Sequence, residues 1–88
     1  MKVEFKSSFA KDLRKIKDDK IKQQVKEVIE RAEKAQDLQA IENIKKLRGN
    51  DNYFRIRMGN YRLGLIIEKD KVIFVRFLHR KDIYRYFL

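Results

Sequence analysis

The chain has 88 residues, enough for one domain around one hydrophobic core. Hydrophobic residues make up 43% of it, so disorder is not expected even though 41% of its residues are charged. The sequence has no cysteine, which excludes disulfides and thiolate metal sites and is compatible with a cytoplasmic location. Residues 1–6 alternate charged and apolar side chains, a pattern typical of neither a signal peptide nor a membrane span.

The net charge of +10 is concentrated in the second half of the sequence. Residues 45–88 hold twelve Lys/Arg against four Asp/Glu, and they include seven of the nine arginines. Lysine-rich segments with interspersed acids, such as residues 9–36, usually form solvated helix faces. Arginine differs because its planar fork binds phosphate through two hydrogen bonds and keeps its charge. The arginine-rich half therefore predicts a polyanionic partner.

The first half predicts a strand followed by two helices. Residues 2–6 form the strand, and Ser7 or Ser8 is expected to cap the first helix. Residues 17–19 interrupt its apolar stripe and can cap the second helix. The second stripe follows helical spacing through Ile21, Val25, Val28, Ala32 and Ala35. We expect an antiparallel helical hairpin packed on a sheet, with residues 37–47 as an irregular or short helical connection.

From residue 53 the apolar period changes from 3.6 to 2, which predicts strands over 53–58, 61–68 and 71–78. A two-residue turn at Gly59 and Asn60 sets Arg57 opposite Arg62. The side of this hairpin that faces the core carries Phe54, Ile56, Met58, Tyr61, Leu63 and Leu65. The opposite side carries Arg55, Arg57, Arg62 and Gly64.

The second hairpin, around residues 68–71, lacks the glycine that would identify its turn. A two-residue loop puts Arg76 on the core side, whereas a three-residue loop puts it beside the other arginines. The sequence leaves both open. Apolar residues on both parities of 72–78 predict an inner strand that is covered on both faces.

The three hairpin arginines predict a phosphate site. Like charges directly opposite each other in a sheet are destabilising, and Arg57 against Arg62, with Arg55 nearby, is such an arrangement. Either the guanidinium groups surround a phosphate, with Gly64 leaving room beside them, or the long side chains extend separately into water. The clean apolar pattern on the other side of the same hairpin favours the phosphate site.

The C-terminal residues 78–87 combine basic and aromatic side chains. His79 is the one histidine, Arg80 follows it, and Tyr84 lies one turn after Arg80 if the tail is helical. Imidazole exchanges protons near neutral pH, and tyrosine can donate a hydrogen bond or stack on a base. Alternatively, His79 is a structural or surface residue. For Phe87 an apolar anchor that closes the core is preferred.

No metal site is expected, because one histidine and scattered acids offer no clustered ligands. A route to RNA cleavage without metal remains open. A base activates the ribose 2′-hydroxyl, arginines stabilise the phosphorane, and an acid protonates the leaving 5′-oxygen.

Four short motifs, KLRG at 46–49, YFRIR at 53–57, GNYR at 59–62 and HRKDIY at 79–84, resemble the RelE/ParE toxin superfamily in order and spacing. The predicted strand and helical hairpin fit the same plan, so the resemblance spans residues 1–88 as a single RelE-like toxin domain. The expected fold class is α+β. It consists of a small, mainly antiparallel sheet with the helical hairpin on one face and a short C-terminal helical tail.

Resemblance to RelE-type members implies a cytoplasmic endoribonuclease, an mRNA interferase that cuts mRNA in the ribosomal A site without a cofactor. By that resemblance, Arg62 holds the scissile phosphate, Arg80 holds phosphate or assists the leaving group, and Tyr84 stacks on or orients the nucleotide. The implied RNA-binding residues that line the cleft or reach ribosomal RNA are Arg55, Arg57, Lys45, Lys46 and Arg48.

The sequence departs from some members, which carry lysines proposed for proton transfer where this chain has Arg55 and Arg57. Arginine is effectively never deprotonated, so neither can be a general base. His79 is then the predicted catalytic residue for proton transfer, with Asp51 as the alternative.

Two other functions remain open: a ParE-like inhibitor of DNA gyrase, and a catalytically inactive RNA- or ribosome-binding member. The resemblance also implies a cognate acidic, RelB-like antitoxin, partly disordered, that covers the arginine face. The toxin is expected to be a monomer alone and a hetero-oligomer with that antitoxin. A segment that folds on binding suits a partner of charge +10.

Overall fold

The computed structural model describes residues 1–47, 49 and 52–87. The sheet in this part of the chain has five strands: β1 (Lys2–Phe5), β2 (Ile44–Lys46), β3 (Tyr53–Met58), β4 (Tyr61–Glu68) and β5 (Lys71–His79). Their spatial order is β1-β5-β4-β3-β2. β1 pairs with β5 in parallel, and the other neighbours are antiparallel. The predicted α+β class and the inner position of β5 are confirmed.

Two helices, α1 (Ser7–Arg14) and α2 (Asp19–Lys34), pack on one side of the sheet, which we call the helix face. Asp18 caps α2 as predicted, and its carboxylate accepts a hydrogen bond from the Lys20 amide at 2.8 Å. The predicted serine cap of α1 is wrong. Lys6 occupies the N-cap position, and the Ser8 hydroxyl instead donates to the Val75 carbonyl at 2.6 Å.

The main core lies between these helices and the helix face. Phe9, Val25 and Ala32 are buried against Leu63 and Phe74 of the inner strands. Burial of each Val, Leu or Phe side chain contributes about 1.5–3 kcal/mol relative to its exposed state. The apolar positions read from the helical and strand periodicities are therefore the ones that hold the layers together.

The connection between α2 and β3 contains a strand that the sequence pattern did not reveal. A short 3-10 helix (Leu38–Ala40) agrees with the prediction, but β2 follows it and pairs with β3 along the sheet edge. Its three residues include two lysines and have no apolar alternation, so the sequence does not predict a strand here. The strand forms because it pairs with β3 and not because of the intrinsic propensity of its residues. Lysines on such a short edge strand also discourage pairing with other chains.

The first hairpin has the predicted register. Gly59 adopts a positive φ of 59° in the turn, and Met58 pairs with Tyr61, followed by Arg57 with Arg62. Main-chain conformation with positive φ suits glycine because it has no Cβ. The two faces of the hairpin are therefore those assigned from the sequence.

The second hairpin combines the two alternatives that the sequence left open. Its loop has two residues, since Glu68 pairs with Lys71. The ladder then shifts by one residue between Gly64 and Leu65, which leaves Val75 as a bulge and sets Gly64 opposite Arg76. A bulge reverses the alternation of side chains beyond it. Arg76 therefore has the parity of the hairpin arginines despite the short loop.

The side of the sheet opposite the helix face, here called the arginine face, is partly covered by the C-terminal tail. The helix α3 (Ile83–Tyr86) places Ile83 and Phe87 in a second apolar cluster with Leu47. The Phe87 ring lies directly over Gly64, where an added Cβ would come within 2.8 Å of it. Phe87 is thus an anchor as expected, but Gly64 makes room for this ring and not for a phosphate.

Among the helices of the described ranges, none has the length and apolar character needed to cross a membrane.

Candidate nucleic-acid interface

Arg62 occupies the centre of the candidate site, near the turn of the first hairpin. Its Nη1 donates to the Gly59 carbonyl at 2.8 Å and to the Tyr61 carbonyl at 2.9 Å. Both acceptors are neutral, so they orient the guanidinium without neutralising it. The cross-strand partner, Arg57, is exposed.

The surroundings of Arg62 are positive. Partial burial lowers the pKa of its guanidinium, and the charges of Arg55, Arg57 and Arg80 lower it further, whereas Tyr84 raises it. In the free protein, burial and the neighbouring positive charges therefore disfavour the charged form of Arg62. A bound anion would relieve that repulsion.

Arg55 extends the cationic surface toward β2. One end of its guanidinium donates to the Asn43 carbonyl at 2.9 Å. Its Nε is buried, with no hydrogen-bond partner among the residues that the structure describes. A buried donor without an acceptor costs about 1–3 kcal/mol. Lys45 is the cross-strand neighbour of Arg55 and adds another cation on the same face.

The C-terminal residues complete this cluster from the other side. The Arg80 amide donates to the Asn60 carbonyl at 2.8 Å, which fixes Arg80 beside the turn that also holds Arg62. Arg80 precedes α3, so the expected helical turn between it and Tyr84 is not formed. Tyr84 is nevertheless close enough to influence Arg62, and its side chain is 54% exposed.

His79 does not share this face. It pairs with Tyr61, whose ring faces the helices, and the two rings make an edge contact at 5.9 Å. Its Nδ1 accepts a hydrogen bond from the Lys81 amide at 3.2 Å. A ring nitrogen that accepts carries no proton, so the proton lies on Nε2. In this orientation His79 can donate a hydrogen bond, but it does not present a free lone pair to a proton.

Other predicted residues also fall outside the cluster. Lys46 pairs with Phe54 in the sheet register, which gives it the parity of the helix face. Arg48 and Asp51 lie outside the residues that the structure describes. Of the predicted site, the structure brings together Arg55, Arg57, Arg62, Arg80, Tyr84 and Lys45.

An ion pair that the sequence did not reveal separates Arg76 from these arginines. Asp12 is buried, and its carboxylate accepts from Arg76 Nε at 2.7 Å and from the Phe77 amide at 2.9 Å. The hydrogen bond to Asp12 raises the pKa of Arg76. Asp12 lies next to Leu13, which packs against the main core, and this proximity is the one indication in the sequence that Asp12 is buried. Since its charge is compensated, Arg76 is not a candidate phosphate ligand.

Chemically, the interface offers fixed positive charge and an aromatic ring. Within the described ranges, none of Arg55, Arg57, Arg62 and Arg80 makes a salt bridge. The same residues contain no group of three or more His, Cys, Asp or Glu side chains able to hold a metal ion.

Comparison with known proteins agrees with this architecture. Residues 3–84 match the family model described as the ParE toxin of the type II toxin–antitoxin system. The chain is 44% identical to toxin RelE3 of Methanocaldococcus jannaschii, over 99% of both proteins. It is also similar to the RelB–RelE antitoxin–toxin complex from Methanococcus jannaschii, with a TM-score of 0.81 and 41% identity over 97% of this chain and 99% of that one.

A more distant structure shares the fold. A mutant of YafQ from E. coli superposes with a TM-score of 0.63 and 18% identity, over 93% of this chain and 96% of that one. The chain belongs to the RelE/ParE superfamily of toxins from type II toxin–antitoxin systems. Within that superfamily it is a RelE-type toxin of a toxin–antitoxin pair.

Proposed function

We propose that this toxin is an endoribonuclease that cuts mRNA on the ribosome by attack of the ribose 2′-hydroxyl, without a metal ion. The supporting observation is the cluster around Arg62, in which four arginines converge without a carboxylate partner in the described part of the chain. Such a cluster is matched to a phosphodiester that gains negative charge in the transition state.

In this mechanism Arg62 and Arg80 hold the non-bridging oxygens of the scissile phosphate. The 2′-hydroxyl gives up its proton and its oxygen forms a bond to phosphorus, while the bond to the 5′-oxygen breaks and that oxygen takes up a proton. The products are a 2′,3′-cyclic phosphate and a 5′-hydroxyl. Tyr84, exposed beside Arg62, stacks on or orients the nucleotide. Arg55 and Arg57 bind the neighbouring phosphates, and Lys45 continues this track to the sheet edge.

Proton transfer involves groups other than the arginines, which stay protonated. His79 was predicted for this role, and it could act as a base if its ring turned away from the Lys81 amide. In the observed orientation it can donate from Nε2. We therefore assign to His79 a hydrogen bond to the RNA, and the arginines supply the electrostatic part of catalysis.

We further propose that a RelB-like antitoxin neutralises the toxin by covering the arginine face. The similarity to the toxin of the RelB–RelE complex supports this partner. An acidic segment would relieve the same repulsion at Arg62 that RNA phosphate relieves.

Two assays run side by side test the proposed activity. Purified toxin is added to translating ribosomes with a defined mRNA, and separately to a DNA gyrase supercoiling reaction. We expect cleavage in the first and full supercoiling in the second, and Arg62→Ala should abolish the cleavage. Inhibited supercoiling without RNA cleavage would establish a gyrase inhibitor. Ribosome binding without either effect would establish an inactive binding protein.

A further inference from the structure

The last strand has an open edge beside the candidate site. β1 pairs with β5 only as far as Phe5 against Phe74, and α1 then packs against β5. The Asp12 carboxylate bonds the Phe77 amide, and the Arg80 amide bonds Asn60 on the β4 side. Because successive residues of a strand direct their main-chain groups to alternate sides, the Phe77 carbonyl and the His79 amide both point to the open edge. Within the described residues, neither group has a hydrogen-bond partner.

A groove of about 350 Å³ follows this edge. Its walls come from the C-terminal end of α1 and the residues just after it, from β4 and β5, and from the tail helix α3. They include Lys15, Tyr61, the His79 ring and Tyr86, a residue that is 54% exposed. The groove is therefore lined by aromatic rings and a cation, and by Phe77 and His79, whose main-chain groups lie on the open edge.

We infer that this groove is a nucleobase subsite, and that it reads the base next to the phosphate held by Arg80 and Arg62. The inference rests on the proposed function in taking RNA as the ligand. A carbonyl and an amide two residues apart on one strand edge match the adjacent donor and acceptor that every nucleobase presents. Tyr86 or the His79 ring offers a stacking surface.

The dimensions of the open edge favour a base over a peptide strand. Asp12 and the Ser8 hydroxyl already occupy the neighbouring edge positions at Phe77 and Val75. The remaining carbonyl and amide can bond a single residue of an added strand, too few for stable strand addition. The next residue along the chain, Arg80, belongs to the cationic cluster. A nucleotide fits the open edge and the cationic cluster together, because its base has adjacent donor and acceptor groups and it also carries a phosphate.

The first test uses 15N-labelled toxin and heteronuclear NMR. The protein is titrated with 5′-AMP and, separately, with ribose 5-phosphate, which carries the phosphate without a base. We expect saturable shifts of the His79 amide with 5′-AMP and none with ribose 5-phosphate. Equal shifts with the two ligands would overturn the subsite. A His79 amide that responds to a RelB-like antitoxin peptide but not to 5′-AMP would overturn it in favour of a peptide strand.

The second test isolates the main-chain donor by comparing His79→Ala with His79→Pro. Both lose the imidazole, but proline also lacks the amide hydrogen, and proline is tolerated on an open strand edge. We expect His79→Ala to keep a base-dependent shift at Leu78 and His79→Pro to lose it. Equal responses would overturn the inference, and if His79→Pro does not fold, the wild-type titration decides. Neither test involves ribosomes, so a lack of mRNA cleavage would remove the proposed function and leave the subsite standing.

Discussion

Arg57 and Arg62 lie directly opposite each other in the β3–β4 hairpin, one residue pair from its turn. Like charges in this arrangement cost a few tenths of a kcal/mol to about 1 kcal/mol. The two residues nevertheless differ, because Arg62 is hydrogen-bonded to the turn carbonyls whereas Arg57 is exposed. Substituting each arginine in turn therefore separates the cost of the repulsion from the contribution of the side-chain hydrogen bonds to stability.

Arg57→Ala should stabilise the free protein by a few tenths of a kcal/mol to about 1 kcal/mol, because it removes the repulsion. Arg62→Ala should be close to neutral, since it also removes two hydrogen bonds to the turn. Urea denaturation followed by circular dichroism measures both changes. An Arg62→Ala protein that unfolds much more easily would show that this arginine is structural.

The same Arg62→Ala variant should lose cleavage on ribosomes by about a hundredfold or more, as expected when a donor to the transition-state charge is removed. Arg80→Ala should behave similarly. Arg14→Ala is the matched control, because Arg14 is exposed on α1, away from the arginine face. Growth arrest that persists in Arg62→Ala cells would contradict the proposed role.

Arg55 should act through phosphate binding. Replacing it by Met keeps the length of the side chain but removes its charge, the buried Nε and the hydrogen bond to the Asn43 carbonyl. RNA affinity should therefore fall, whereas the free energy of unfolding should change little because the lost bond and the removed unpaired donor offset each other. For single-stranded RNA, the slope of log K against log salt should become shallower by about 0.7 for each phosphate that the protein no longer neutralises. Affinities for a short RNA at several salt concentrations measure this slope. An unchanged slope would place Arg55 outside the phosphate track.

Gly64→Ala should destabilise the protein by about 1–3 kcal/mol, as expected for overpacking. The new Cβ would meet the Phe87 ring at 2.8 Å, so the tail must move, and Tyr84 would move with it. Thermal unfolding and ribosome cleavage should both show a loss. The double variant Gly64→Ala with Phe87→Leu should recover part of the stability that Gly64→Ala removes, because leucine occupies less of the contested space. No recovery would show that the clash is relieved elsewhere.

The sequence predicted the first hairpin well because its register depends on local features. Gly59 and Asn60 define the turn, and strict alternation then assigns each side chain to a face. The arginine cluster followed from that register. The C-terminal segment already indicated Arg80 and Tyr84, and the resemblance to the RelE/ParE superfamily assigned them to the phosphate site, which alternation alone could not do.

Features set by non-local contacts were missed or misplaced. The bulge at Val75 depends on how β5 packs between two strands, and the sequence has no glycine to mark it. Asp12 pairs with a residue 64 positions away, so no short-range pattern reveals it. The ring over Gly64 also comes from the far end of the chain. These features determine where Arg76 and Phe87 lie relative to the arginine face.

Cleavage by the 2′-hydroxyl has a direct chemical signature. EDTA, added at a concentration that leaves the magnesium that the ribosomes need, should not change the cleavage rate. The reason is that the toxin itself is proposed to need no metal. A single 2′-deoxy nucleotide at the cut site should block cleavage there. Products should end in a 2′,3′-cyclic phosphate or a 3′-phosphate, which mass spectrometry distinguishes from a 3′-hydroxyl. A 3′-hydroxyl end would indicate attack by water instead.

The last prediction concerns His79, whose two proposed roles respond differently to substitution. As a hydrogen-bond donor through Nε2, it can be replaced by glutamine, which also carries an N–H donor. Glutamine cannot carry a proton between two groups. We expect His79→Gln to stay within about tenfold of the wild-type rate, below the hundredfold or greater loss typical of a missing acid or base. His79→Ala should be weaker than His79→Gln.

Single-turnover cleavage on ribosomes, measured across pH for the wild type and both variants, separates the roles. If His79 is only a hydrogen-bond donor, the shape of the pH profile stays unchanged in His79→Gln, because the groups that transfer protons are then other groups, which the substitution leaves in place. A proton-transfer role removes one limb of the profile together with most of the rate. That second outcome would mean that the imidazole leaves the Lys81 amide when RNA binds, freeing Nδ1 to act as the base. Arg14→Ala again serves as the control, since it changes the net charge without touching either face of the site.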